Sequence, residues 1–178
     1  GSLSVKTRAG IDDERQIFDV LPAFEEAGID FLVVHPRTVE QKYRGAANHA
    51  LTREIVKATS LTVIANGDVC DEVEAAHVLE QTGAAGLMFG RGAVSDPKLF
   101  ARVRGGAPRR PSGEERKREL AAYLSLLLEG YRGIFHGDAQ ILAKLREVLA
   151  HIKDPDLGRW VKTLRKQRRT SELAALLA

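Results

Sequence analysis

Cysteine is almost missing from this chain, with one residue, Cys70, among 178. A lone thiol excludes an internal disulfide framework and any thiolate zinc cluster, so cohesion has to come from a packed core, and no metal site is predicted. Long apolar runs are missing too. None reaches the roughly 18 to 20 residues that a bilayer-spanning helix requires, and no charged segment leads into an apolar stretch as in a secretory signal. A soluble, cytoplasmic protein is expected. Aromatic residues are scarce at 6%, yet a hydrophobic content of 44% is ordinary for one globular domain or two small ones. The opening Gly1-Ser2 reads as a scar of tag removal and is kept out of fold reasoning.

A strong excess of either charge is also lacking, since the net charge is only +3. The distribution is uneven, however. Residues 1–101 carry 10 Lys/Arg against 15 Asp/Glu, a balance of −5, whereas residues 102–178 carry 17 against 9, a balance of +8. Such asymmetry suggests a catalytic-type half joined to a module that meets a polyanion.

The first hundred residues alternate short β-branched runs with longer helix-period stretches. Strands are predicted at Leu3–Arg8, Ile29–His35, Leu61–Ala65 and Ala85–Phe89. Helices are predicted at Glu14–Ala27, with Ile17, Val20, Leu21 and Phe24 on one face, at Ala46–Thr59 and at Asp71–Gln81, with Gly28 and Gly83 as stops. This order implies a parallel sheet, half of a (β/α)8 barrel, over residues 1–104. A Gly, Pro, Arg and Ser-rich stretch at 105–113 reads as a linker. Residues 114–178 read as an all-α bundle. Leu120, Tyr123, Leu124 and Leu127 form one stripe and Ile141, Leu142, Leu145, Val148 and Leu149 another. Asp154-Pro155-Asp156 signals a helix start ahead of Leu157, Trp160, Val161 and Leu164, and Ser171 is the N-cap candidate of a last helix ending at Leu177.

Parallel α/β folds carry their functional groups at the carboxyl ends of strands. Here those ends present Lys6, His35, Asn66-Gly67-Asp68 and Gly90-Arg91-Gly92. Alternation puts Lys6 on the face with Ser4, His35 with Phe31 and Val33, Asn66 with Thr62 and Ile64, and Gly90 with Gly86 and Met88. Taken singly, each has an ordinary explanation: a solvated lysine, a hydrogen-bonded core histidine, two common turns. Taken together, glycines after adjacent strands allow backbone N–H groups to converge on a phosphate, and Arg91 adds a charged fork. A phosphorylated cofactor accounts for the array better than coincidence.

Ser4-Val5-Lys6-Thr7-Arg8, Val34-His35-Pro36-Arg37-Thr38 with Glu40-Gln41-Lys42-Tyr43, Val63-Ile64-Ala65-Asn66-Gly67-Asp68 and Met88-Phe89-Gly90-Arg91-Gly92-Ala93 together resemble the tRNA-dihydrouridine synthases. Their order matches the fifth to eighth strands of that family's FMN-binding barrel. The resemblance implies that Lys6 and His35 contact the polar edge of the flavin. It also implies that Asn66, Gly67, Asp68, Gly90 and Arg91 hold the FMN phosphate. Arg37 and Tyr43, on the loop after the second strand, would contact tRNA. NADPH would restore the reduced flavin. The family's proton-donating cysteine belongs to an earlier strand's loop, so no catalytic residue is expected in this chain, and Cys70 reads as structural. Pro36 stands where the family has Gly, which fixes φ and removes an N–H.

Arg159, Lys162, Arg165, Lys166, Arg168 and Arg169 crowd one short stretch, with Arg109, Arg110, Arg116, Lys117 and Arg118 near the linker. Acidic partners are few, so the cluster reads as an electrostatic footprint for tRNA phosphate. Trp160 and Tyr123 fall in apolar stripes and read as core. A half barrel has two open strand edges, which predicts either a homodimer or a need for the other barrel half. Competing readings are a non-catalytic RNA-binding module on a barrel-remnant scaffold, and a dihydroorotate-type FMN oxidoreductase, against which the basic helical half argues.

Overall fold

The computed structural model describes residues 1–178 and divides into two compact units, Gly1–Gly90 and Arg91–Ala178. In the first unit, strands β1 (Ser4–Gly10), β2 (Phe31–Thr38), β3 (Thr62–Asn66) and β4 (Gly86–Met88) form a parallel sheet in the order β1-β2-β3-β4. Helices α1 (Ile17–Glu26), α2 (His49–Ala58) and α3 (Glu72–Thr82) alternate with them, giving the expected partial (β/α)8 barrel.

Strand alternation gives this sheet two unlike faces. Val5, Leu32, Val34 and Val63 project to one side, where Ile17, Leu21, Leu51 and Ile55 cover them in a single apolar cluster. Lys6, Val33, Ile64 and Gly86 share a row on the other side, as the register shows. Val20 departs from its predicted place and is exposed. At 100° per residue it lies roughly 65° from the centre of the Ile17, Leu21 and Phe24 stripe, at its edge.

Local chemistry sets the element boundaries. Asp13 accepts the Arg15 N–H at the start of a 3-10 turn, Glu14–Gln16, that precedes α1. Asn48 accepts the Leu51 N–H, so α2 starts at His49 rather than Ala46. Asp71 accepts from Val73 and Glu74 to open α3, and Gly83, at φ 69°, closes it in the left-handed conformation. Strand β2 continues past His35 to Thr38, but the ladder slips: Arg8 pairs with His35 and Gly10 with Thr38, so three steps on β2 face two on β1. Pro36, with no N–H to give, sits inside this bulge.

The second unit is entirely helical: α4 (Arg91–Ser95), α5 (Leu99–Val103), α6 (Gly113–Ile134), α7 (Asp138–His151), α8 (Gly158–Lys166) and α9 (Thr170–Leu177). Leu120, Leu124 and Leu128 of α6 meet Ile141, Leu145 and Leu149 of α7 and Val161 and Leu164 of α8 in one core. Tyr123, Leu127 and Trp160 pack partly buried against it.

Residues 91–104, expected with the barrel half, cluster instead with the helices. A buried ionic knot explains why. Asp96 accepts from Arg102 (2.8 Å) and Arg116 (3.3 Å), and Glu119 accepts from Arg102 (2.7 Å), Arg116 (3.3 Å) and Lys98 (2.9 Å). Arg116 also donates to the Ser95 carbonyl. Arg116 is therefore fully buried and no part of a surface footprint.

Two predicted helix signals shift as well. Asp154 accepts the N–H groups of Asp156 and Leu157 in a turn ahead of α8. Ser171 lies inside α9, whose N-cap is Arg169; Glu172 accepts the N–H groups of Arg168 and Arg169.

Candidate functional site

One face of β1, β2 and β3 carries Lys6, Arg8, His35 and Asn66 around one mouth, although Lys6 and His35 lie inside their strands, four residues before Gly10 and three before Thr38, and not at the ends expected. Arg8 stands opposite His35 in the ladder, two residues beyond Lys6 on the same strand face. Arg8, not among the residues expected at the site, carries its signal in the sequence as a second cation two positions beyond Lys6. Its guanidinium donates to the carbonyls of Thr38 and Lys42, both at 2.8 Å, and lies 5.4 Å from the centre of the Tyr43 ring. Lys6 is exposed and has no carboxylate partner.

His35 is 6% exposed. Burial lowers its pKa to about 4, assisted by the positive charges of Arg8, Arg37 and Lys6 and opposed by Asp68. The imidazole is consequently neutral at physiological pH. Arg37 Nη1 lies 3.1 Å from His35 Nε2, and because a guanidinium only donates, Nε2 accepts and the ring proton belongs on Nδ1.

Arg37 corrects one sequence-based expectation. Placed in advance at the tRNA face, it is only 2% exposed. Its Nη2 donates to the Gly45 carbonyl and pairs with Asp68. Asp68 also departs from its expected phosphate role. A carboxylate has no proton to offer a phosphate, and this one accepts from Arg37 and from the Ala47 N–H (2.8 Å). Asn66 spends one amide N–H on the Met88 carbonyl (2.8 Å), which joins β3 to β4.

Gly67 is required sterically. Its φ is 123°, and a Cβ there would lie 2.9 Å from His35 Cδ2 and 3.0 Å from the Ala47 Cβ. The carbonyl of Gly67 lies 3.1 Å from Nε2 of His49, a residue given no role from sequence, whose pKa is lowered chiefly by burial. Tyr43 is 64% exposed, its ring centre 6.3 Å from that of His35. Gly90 is exposed and ends the first unit, while Arg91 opens α4 in the second. Cys70 is exposed just ahead of the α3 cap.

On the second unit, Arg159, Lys162, Arg165, Lys166, Arg168 and Arg169 are all exposed, and none forms an ion pair. Arg146 donates to the carbonyls of Arg165 and Gln167 and so fixes the end of α8 that carries them. Six cations without local partners make a surface suited to a polyanion. No helix in either unit is long and apolar enough to cross a membrane.

Comparison with known proteins gives these two features a common setting. Among the relatives is a probable tRNA-dihydrouridine synthase of Rhodobacter capsulatus, 34% identical over 135 residues, which cover 72% of this chain and 42% of that protein. A tRNA-dihydrouridine(16) synthase of Cupriavidus necator is 38% identical over 129 residues, covering 71% and 40%. Its counterpart in Salmonella typhimurium is 31% identical over 177 residues, covering 97% and 54%. The chain thus spans about half the length of the curated relatives it matches. The family model for Dihydrouridine synthase (Dus) matches residues 2–172, and the chain belongs to that family.

Proposed function

We propose that this chain supplies the phosphate-binding half of the barrel and the RNA-binding helices of a tRNA-dihydrouridine synthase, in which FMN and NADPH reduce uridine to dihydrouridine in tRNA. The observation that carries this reading is the mouth itself: Lys6 unpaired, a neutral His35 and the Arg8 guanidinium on one face of neighbouring strands. Such donors fit the electron-rich edge of a flavin, and Gly67, with no side chain, lets the turn after β3 pack directly against His35. When bound in its reduced form, FMN would supply the hydride.

The residues here bind and orient. Lys6 places a positive charge where negative charge develops on the cofactor, and His35 donates a hydrogen bond from Nδ1. Gly67 and Gly90 offer backbone N–H groups for the phosphate. Asn66 retains one N–H and its carbonyl oxygen. Tyr43 and the six exposed cations of 159–169 meet tRNA. No proton donor for the uracil ring is assigned, because the loop that carries the family's cysteine lies on a strand outside these four. The open edges β1 and β4 are proposed to pair with further strands, from a second copy or from the other barrel half.

Titration of FMN fluorescence with the purified protein tests the cofactor role. Saturable quenching that weakens about tenfold or more in K6M is expected, since a hydrogen bond to a charged group contributes roughly 1.5 to 3 kcal/mol. Absence of quenching overturns the cofactor assignment. Binding of a tRNA transcript at several salt concentrations tests the second surface. The double variant K162E/R165E should flatten the logarithmic salt dependence by roughly 2, one per lost phosphate contact.

A further inference from the structure

We infer that Arg37 is a positioning residue, a buried guanidinium that selects which nitrogen of His35 faces the ligand and holds the 39–48 loop beside it. Arg37 reaches three partners at once: His35 Nε2, the Gly45 carbonyl and the Asp68 carboxylate. Asp68 in turn accepts the Ala47 N–H, so one side chain ties a strand, a loop and the turn after β3. Gly67 closes the same side of the ring, lying nearest Cδ2 and Nε2. His35 Nδ1 has no protein partner and is not sealed from solvent, which leaves it as the nitrogen directed toward a ligand.

A guanidinium is the group that performs this task. It stays protonated and never accepts, so Nε2 beside it is held without a proton, and its planar fork spans acceptors that a single ammonium cannot reach together. Arg8 holds the opposite end of the loop through the carbonyls of Thr38 and Lys42. The loop that displays Tyr43 is therefore clamped from both sides before any ligand arrives. This inference gives the cofactor reading its donor at His35, but the ring tautomer itself does not depend on that reading.

The test is nitrogen NMR on protein labelled with 15N-histidine, with the His35 signals assigned from H35Q. Wild type is expected to show a protonated Nδ1 and an unprotonated Nε2. R37M should lose that asymmetry, and amide exchange over residues 39–48 should rise about tenfold, as expected for one lost buried hydrogen bond. R37K, still able to donate to Nε2, should keep the tautomer while exchange in the loop rises. A wild-type ring protonated on Nε2, or an R37M spectrum unchanged from wild type, overturns the inference. If R37M does not fold, the wild-type and R37K spectra still decide. No flavin is needed, so a failed FMN titration would sink the cofactor assignment and leave this result standing.

Discussion

His35 gives the mouth a measurable pH signature. Its pKa falls from an ordinary value of 6.5 to about 4 on folding, so between these values the unfolded chain binds more protons than the folded one. Its contribution to stability is complete above about pH 6.5 and is lost progressively as pH falls toward 4. Urea unfolding at several pH values should show this decline in wild type and a flatter profile in H35Q; identical profiles would remove His35 as the cause. Strand alternation made it legible that Lys6 and His35 share a face, whereas the strand ends were not legible, since β1 runs on to Gly10 and β2 to Thr38. Arg37 and Asp68 were misplaced. An arginine and an aspartate separated by 31 positions give no sign of being mutual partners, and both residue types are ordinarily found in water.

Among the elements, α4 and α5 were the least legible. Each is five residues long, too short for a periodic stripe, and what fixes them is an ionic knot formed with α6. Asp96 lies between two buried guanidinium groups, those of Arg102 and Arg116. D96N removes one of the two carboxylates that serve Arg102 and Arg116, with Glu119 remaining beside both, a loss of about 1.5 to 3 kcal/mol for the helical unit. Trp160, the chain's single tryptophan, packs against that unit's core and reports its unfolding by fluorescence. A midpoint unchanged from wild type would show the knot to be dispensable. The longer helices were legible for the converse reason. Leu120 and Leu124 of α6, like Leu145 and Leu149 of α7, recur at helical spacing and need no distant partner to be recognised.

At the scale of the whole molecule, the sheet has four strands in sequential order, so β1 and β4 each have a neighbour on one side only. Unpaired parallel edges favour association. Sedimentation at micromolar concentration distinguishes the two pairings: a dimer is expected if the edges pair between copies, and a well-folded monomer would overturn that pairing while leaving pairing with the rest of a barrel in place. The alternation of strands and helices was readable because both periods recur along the chain. The boundary between units was not, because 105–113 has a linker's composition while the compact units meet at Gly90 and Arg91.

Charge in the first unit is sorted by layer. Helices α1 to α3, with the turn before α1, hold eight acidic residues against three basic ones, whereas the strands and the 39–48 loop hold Lys6, Arg8, Arg37, Lys42 and Arg44 against Glu40 alone. A phosphate on the helical side meets repulsion, and one near Lys6 and Arg8 meets attraction, although Asp12, Asp13 and Asp68 stand beyond the ends of β1 and β3. The unit thus shows an anion an unlike front and back while the visitor is still in solvent.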